Sequence, residues 1–147
     1  MIRIEDNTNG LYRCDITAVL TFTLGKLGVT DADVTVFIND RALERFSNDE
    51  IEMQAITYEA APGKYALHLR SSLDGDILII LCHEAVHLSQ YLSGRLKFNL
   101  STGVCTWNGQ RYSANYPYMD RPWEIEAFTK QGKLLKEYRR TKKRCIL

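Results

Sequence analysis

The sequence predicts an α+β fold, in which an N-terminal helix precedes a three-stranded, mostly antiparallel sheet, a second helix, a β-hairpin and a C-terminal helix. Three observations predict this order. Apolar residues recur at helical spacing in three separate segments. Strand-like segments cluster between the first and second of these helical segments, and a strong hairpin turn precedes the third. Because the strands form a run before the later helices, we expect an α+β fold and not a parallel, doubly wound one.

The first predicted elements are a helix and a strand. Residues 15–27 carry apolar side chains at helical spacing and are followed by Gly28, which predicts an amphipathic helix. Residues 33–38 are rich in β-branched side chains, which predicts a strand. Residues 41–46 fit either one helical turn or a loop.

Two more strands are predicted before the second helix. Residues 51–59 alternate between two sets of side chains, as expected of a strand with two different faces. Pro62 and Gly63 are a turn signal. Residues 65–70 alternate again, so we expect this third strand to pair antiparallel with the second.

The most specific feature of the chain is an H-E-x-x-H motif at residues 83–87. Residues four apart stack on one face of a helix, so His83 and His87 can present two imidazole nitrogens to a single cation. Glu84 lies beside them, as hydrolytic zinc chemistry requires. The alternative is a pair of hydrogen-bonded core histidines. A buried, unpaired Glu84 would then be costly, which favours a metal.

The motif falls within a predicted helix over residues 76–93. Asp74 and Asp76 are candidate N-terminal caps, and Gly94 is a candidate stop. Apolar side chains three and four residues apart form one face, and both histidines fall on roughly the opposite side. We therefore expect a largely buried helix whose histidines face a cavity or cleft. The apolar face comprises Leu78, Leu81, Ala85, Leu88 and Leu92.

The last third of the chain predicts a hairpin and a helix. Residues 104–112 contain the dipeptide Asn108-Gly109, a strong signal for a two-residue hairpin turn. Residues 113–120 form a tyrosine-rich loop. A helix is expected over residues 121–142, with a proline well placed in its first turn.

Length and composition fit one domain over residues 1–147. The net charge of +1 gives no global electrostatic case for nucleic acid. The basic tail at residues 139–147 fits a solvated helix end that complements the helix dipole, and contact with nucleic acid is the alternative. No C-x-x-C pair, signal peptide pattern or bilayer-spanning apolar run occurs. We therefore expect a cytoplasmic protein with reduced thiols and no membrane partner.

A catalytic zinc usually has three protein ligands and a water, so the motif leaves one ligand to be found. His68 is the only other histidine, and a solvated position on a strand explains it more simply. The better candidates are two glutamates near the start of the last helix. The helix dipole accounts for Glu124. Glu126 lies near the apolar side, next to Ala127, and is the favoured third ligand, with Glu124 second.

In these motifs the chain resembles the small zincin-type metallopeptidase domains of the gluzincin pattern, and is similar to peptidase-like proteins carried by phages. In that pattern, a second helix supplies a glutamate to the H-E-x-x-H helix, and residues 124–128 resemble its E-x-E-A signature. The resemblance implies that His83, His87 and Glu126 hold one zinc ion per chain and that Glu84 is the catalytic base. No H-x-x-G-x-x-H follows, which excludes the metzincin pattern.

The implied function is that of a zinc-dependent metallopeptidase acting on a peptide or protein. Glu84 would take a proton from the attacking water and pass it to the leaving amine. An extended substrate would pair with an edge strand at residues 65–70. The alternative is a catalytically silent module, stabilised by metal, that binds a peptide or protein. Candidates for assisting the oxyanion are Tyr91, Tyr112, Tyr116 and Tyr118.

Overall fold

The computed structural model describes residues 1–6, 13–39, 43, 54–70 and 76–146. Within these residues the fold is α+β, as the sequence predicts. The described helices are α1 (Arg13–Lys26), α2 (Ile77–Leu92) and α3 (Pro122–Ile146). The described strands are β1 (Ile2–Asp6), β2 (Asp33–Ile38), β3 (Ala55–Ala61), β4 (Lys64–Leu69), β5 (Leu96–Phe98), β6 (Cys105–Trp107) and β7 (Gln110–Tyr112).

The larger sheet is mixed, with strand order β1-β2-β4-β3. β1 pairs parallel with β2, and β2 pairs parallel with β4. The prediction of a three-stranded, mostly antiparallel sheet is therefore wrong, because it omits β1 and reverses the direction of β2. The helix α1 connects β1 to β2, which is how a chain returns to begin a parallel neighbour. The predicted antiparallel pairing of β3 with β4 is confirmed, and Gly63 in their turn has a φ of +73°.

The core lies between this sheet and the three helices. Alternate residues of β2, namely Val34, Val36 and Ile38, are fully buried, because successive strand residues point to opposite faces. Helical residues pack on the same cluster, including Leu20 of α1, Leu81 and Leu88 of α2, and Leu134 of α3. This packing fixes α2 against the sheet and α3 against α2.

The predicted motif helix is confirmed as α2. The Asp76 side chain accepts a hydrogen bond from the Leu78 backbone N–H at 2.9 Å and caps the helix. Gly94 follows the last turn with a φ of +79°, a backbone conformation that glycine adopts without strain. The other cap candidate, Asp74, lies outside the described residues, as do residues 51–53 and, apart from Leu43, the segment 41–46.

A second sheet holds the start of α3. Its order is β5-β6-β7, and the predicted hairpin between β6 and β7 is confirmed. Asn108 and Gly109 have φ values of +48° and +84°, as a type I′ turn requires. Trp123 of α3 packs against Leu96 and Cys105 of this sheet. The smaller sheet thus packs against the start of α3, near both candidate glutamates.

Two further sequence-level expectations concern membranes and thiols. None of the described helices is long and apolar enough to cross a bilayer. Cys82 and Cys105 are free and buried, and burial raises the pKa of their thiols to about 12 and about 11. Such thiols react slowly with oxidants and electrophiles.

We expect Leu81→Ala to lower the free energy of unfolding by about 2–5 kcal/mol, because Leu81 is fully buried where α2 meets the sheet. Urea denaturation followed by circular dichroism measures the change. The matched control is Leu100→Ala, since Leu100 is 48% exposed and its truncation should cost less than about 0.5 kcal/mol. Equal effects of the two substitutions would contradict the packing described above.

Candidate metal centre

Three electron-rich atoms converge between α2 and α3. Glu124 Oε1 lies 2.9 Å from His83 Nε2 and 3.1 Å from His87 Nε2. The two Nε2 atoms lie 3.2 Å apart. The three side chains are buried, and Glu124 is only 7% exposed.

Local helical geometry places these groups. His83 and His87 lie one turn apart on α2, so their rings stand on the same face, with centroids 4.8 Å apart. Glu124 lies in the first turn of α3, next to the buried Trp123. Both imidazoles contact side chains of α3, which helps to explain why they are buried.

The second nitrogen of each imidazole ring meets an amide oxygen. His83 Nδ1 lies 2.8 Å from Gln131 Oε1, and His87 Nδ1 lies 2.8 Å from Gln90 Oε1. An amide oxygen only accepts hydrogen bonds, so each Nδ1 carries the proton and donates it. With Nδ1 engaged in this way, Nε2 is the nitrogen of each ring that faces the centre, and it is the one available to a metal.

The donor set fits a zinc ion. Nitrogen and oxygen ligands about 2.0–2.1 Å from a tetrahedral zinc lie about 3.3 Å from one another. The observed separations of 2.9, 3.1 and 3.2 Å are close to that edge length. Two lone pairs and a carboxylate oxygen this close repel one another unless a proton or a cation lies among them. Two imidazoles and one carboxylate also form a common ligand set of catalytic zinc.

The electrostatics of the centre favour positive charge. Burial alone would lower the pKa of His87, but hydrogen bonding to Glu124 and the charges of Glu124 and Glu84 outweigh it and raise this pKa to about 9. Burial alone would raise the pKa of Glu124, but its hydrogen bonds with His83 and His87 hold this pKa well below the usual range. A field that favours a proton at this position also favours a bound cation.

Glu126, the third ligand that the sequence favours, does not reach the histidines. Its carboxylate forms a two-pronged ion pair with Arg95, with Nη1 2.7 Å from Oε2 and Nη2 2.9 Å from Oε1. Residues two apart on a helix point in different directions, so the two glutamates do not both reach the imidazoles of His83 and His87. Glu124 is the glutamate that lies on the buried face of α3. Ile125 and Phe128, which suggested an apolar side near Glu126, are 51% and 43% exposed.

His68 also lies away from the centre. It stacks between Phe37 and Tyr58, with ring centroids 4.9 and 5.4 Å away, and its Nε2 lies 2.8 Å from the Tyr58 hydroxyl. In β4 it alternates with Leu67 and Leu69, which face the helices. His68 is therefore on the opposite face of the sheet from α2.

Glu84 lies beside the two histidines in a cavity of about 110 Å³. Its Oε2 accepts a hydrogen bond of 2.6 Å from Thr57 Oγ1 on β3. His83, Glu84 and His87 offer ligand atoms within 4.8 Å of one another, but Glu124 Oε1 lies much closer to both imidazoles. We therefore assign Glu124 to the donor set and leave Glu84 as a carboxylate that faces the cavity.

Tyr118 is the tyrosine that reaches the centre. Its hydroxyl donates to Glu124 Oε1 at 3.0 Å and lines the cavity. Tyr91 lines the cavity too, but its hydroxyl donates to the Thr57 carbonyl at 3.0 Å. Tyr112 and Tyr116 form an aromatic pair with ring centroids 4.9 Å apart. Of the four candidates, Tyr118 is thus the one whose hydroxyl contacts the converging atoms.

Sequence reasoning missed Thr57, Gln90 and Gln131. A signal for Gln90 is present, because it follows His87 by three residues and so shares its helical face. The position of Thr57 depends on how β3 packs against α2, which no local pattern reveals.

No family model, curated protein or solved structure matches the chain. The comparisons therefore identify no family for it, and the resemblance to zincins depends on the residues alone.

Proposed function

We propose that the protein is a zinc-dependent metallopeptidase, in which His83, His87 and Glu124 hold one zinc ion per chain. The observation that carries this proposal is the convergence of two Nε2 atoms and one carboxylate oxygen at 2.9–3.2 Å. The zincin-like order of a motif helix followed by a glutamate helix is consistent with it. Glu124 takes the place that the resemblance gives to Glu126.

When bound, zinc supplies a Lewis acid for the peptide carbonyl and lowers the pKa of water in the site to about 7. Glu84 accepts a proton from the attacking water and passes it to the leaving amine. The hydroxyl of Thr57 holds Oε2 of Glu84 at 2.6 Å, which leaves Oε1 for that transfer. This carboxylate lines the same cavity as His87 and Glu124, and the burial of all three side chains strengthens the electrostatic interactions among them.

The substrate would approach along β3 and not along residues 65–70. All but the last of those residues lie in β4, which is paired on both sides, whereas β3 is at the edge of the described sheet. Ala55, Ile56 and Thr57 of β3 line the cavity beside Glu84. An extended peptide paired with this edge would have its backbone next to the proposed catalytic groups.

Hydrolysis of a mixed peptide library by the zinc-loaded chain tests the proposal, with cleavage followed by mass spectrometry. Cleavage should stop when a chelator removes the metal and resume when one equivalent of zinc is returned. Cleavage that is insensitive to chelation, or none at all with zinc bound, would contradict the proposal.

We expect Tyr118→Phe to lower kcat by about 10²-fold, because it removes a hydroxyl beside the centre that would assist the oxyanion in the proposed mechanism. Zinc content should be unchanged, since the phenol contacts Glu124 but is not itself in the donor set. Tyr116→Phe is the matched control, since Tyr116 packs on Tyr112 rather than on the centre. A loss of zinc from Tyr118→Phe would indicate that the phenol holds Glu124 in place and does not act on substrate.

A further inference from the structure

We propose that Gln90 and the Arg95–Glu126 ion pair act as positioning residues, which hold the His87 ring in its metal-binding tautomer and so set the zinc affinity. The inference builds on the metal site of the proposed function. It gives a role to Glu126, the carboxylate that the resemblance would make a ligand.

Gln90 connects His87 to α3. Its side chain is fully buried, and its Oε1 lies 2.8 Å from His87 Nδ1. Its Nε2 donates to the Trp123 carbonyl at 3.0 Å and to Glu126 Oε1 at 3.3 Å. Both amide hydrogens and the amide oxygen are therefore in use.

The orientation of this amide decides which His87 nitrogen is available to a metal. If the amide turned over, an N–H group would face Nδ1, and the neutral ring would have to carry its proton on Nε2. A ring protonated on Nε2 cannot bind zinc through that atom. Trp123 and Glu126 prevent the Gln90 amide from turning over, because its oxygen would then face two hydrogen-bond acceptors in a buried site.

Arg95 keeps Glu126 in position. The guanidinium approaches both carboxylate oxygens, and it lies 5.1 Å from the centre of the Trp107 ring. A bidentate pair of this kind fixes direction as well as distance. Glu126 Oε1, which accepts from Arg95 Nη2 at 2.9 Å, is thereby held where it also accepts from the Gln90 amide.

Zinc affinity of two variants at one position tests the proposal. Gln90→Met has a similar volume but offers no acceptor to Nδ1, and its affinity should fall by about 10- to 100-fold. Gln90→Glu keeps an acceptor at Nδ1 but sets its second oxygen against the Trp123 carbonyl and Glu126, so its affinity should fall less than that of Gln90→Met. Competition with a chromophoric chelator gives both values, and circular dichroism shows that each variant is folded.

The matched control is Lys130→Ala, because the Lys130 ammonium lies 3.7 Å from Glu126 Oε1, a longer and more exposed ion pair than that of Arg95. Its zinc affinity should equal that of the wild type. Wild-type affinity in Gln90→Met, or equal losses in Gln90→Met and Gln90→Glu, would overturn the positioning role. A wild type that binds zinc but cleaves no peptide would refute the peptidase alone. A wild type that takes up no zinc would remove the site and the positioning role together.

Discussion

We expect Glu84→Gln to lower kcat for peptide hydrolysis by about 10²- to 10⁴-fold, the usual contribution of a general base. Glutamine has nearly the same shape and can still accept the Thr57 hydrogen bond, but it cannot take a proton from water. Because Glu84 is outside the proposed donor set, the variant should retain one zinc ion per chain. Initial rates with a fluorogenic peptide, alongside metal analysis, measure both quantities.

Glu137→Gln provides the matched control for this substitution. It makes the same chemical change on α3, about 20 Å along the helix from Glu124 by the helical rise, and should leave kcat unchanged. Full activity in Glu84→Gln would show that another group takes the proton. A wild type that holds zinc but hydrolyses nothing would favour the silent, metal-stabilised binding module.

We expect Glu124→Gln to lower the zinc affinity by at least about 100-fold, more than the loss of a partner outside the donor set usually causes. The substitution removes the negative charge that lies 2.9 and 3.1 Å from the two imidazole nitrogens. Glu126→Gln changes the same group two residues away and should lower the affinity by about tenfold at most, since it acts only through Gln90. Competition titration with a zinc chelator measures both variants.

A larger loss in Glu126→Gln than in Glu124→Gln would reverse the assignment. It would mean that the start of α3 rotates when the metal binds, so that Glu126 faces the metal in place of Glu124. Equal, small losses would place the third ligand elsewhere, and Glu84 would then be the nearest carboxylate.

The confirmed parts of the fold are those that local patterns determine. The helix α2 follows from its apolar spacing, and the hairpin follows from the need of Asn108 and Gly109 for positive φ. The strand β1 was missed because only Ile2 and Ile4 alternate with polar residues. Its parallel partner, β2, lies beyond a whole helix, so the pairing depends on contacts distant in sequence.

The structure favours Glu124 over Glu126 as third ligand for a physical reason that the sequence does contain. Glu124, Ala127, Gln131, Leu134 and Tyr138 follow one another at spacings of 3, 4, 3 and 4, so they share one helical stripe. Polar residues that interrupt a buried stripe are candidates for a functional site. The two polar members of this stripe, Glu124 and Gln131, both contact His83. The E-x-E-A signature directs attention to Glu126, which lies on another face.

Anomalous diffraction at the zinc edge, from crystals grown with one equivalent of zinc, tests the central claim most directly. We predict a single strong peak about 2.0–2.2 Å from His83 Nε2, His87 Nε2 and a Glu124 carboxylate oxygen, with the Gln90 amide oxygen still facing His87. No peak at this position in folded, zinc-treated protein, or a peak bound by Glu126, would contradict the proposed centre.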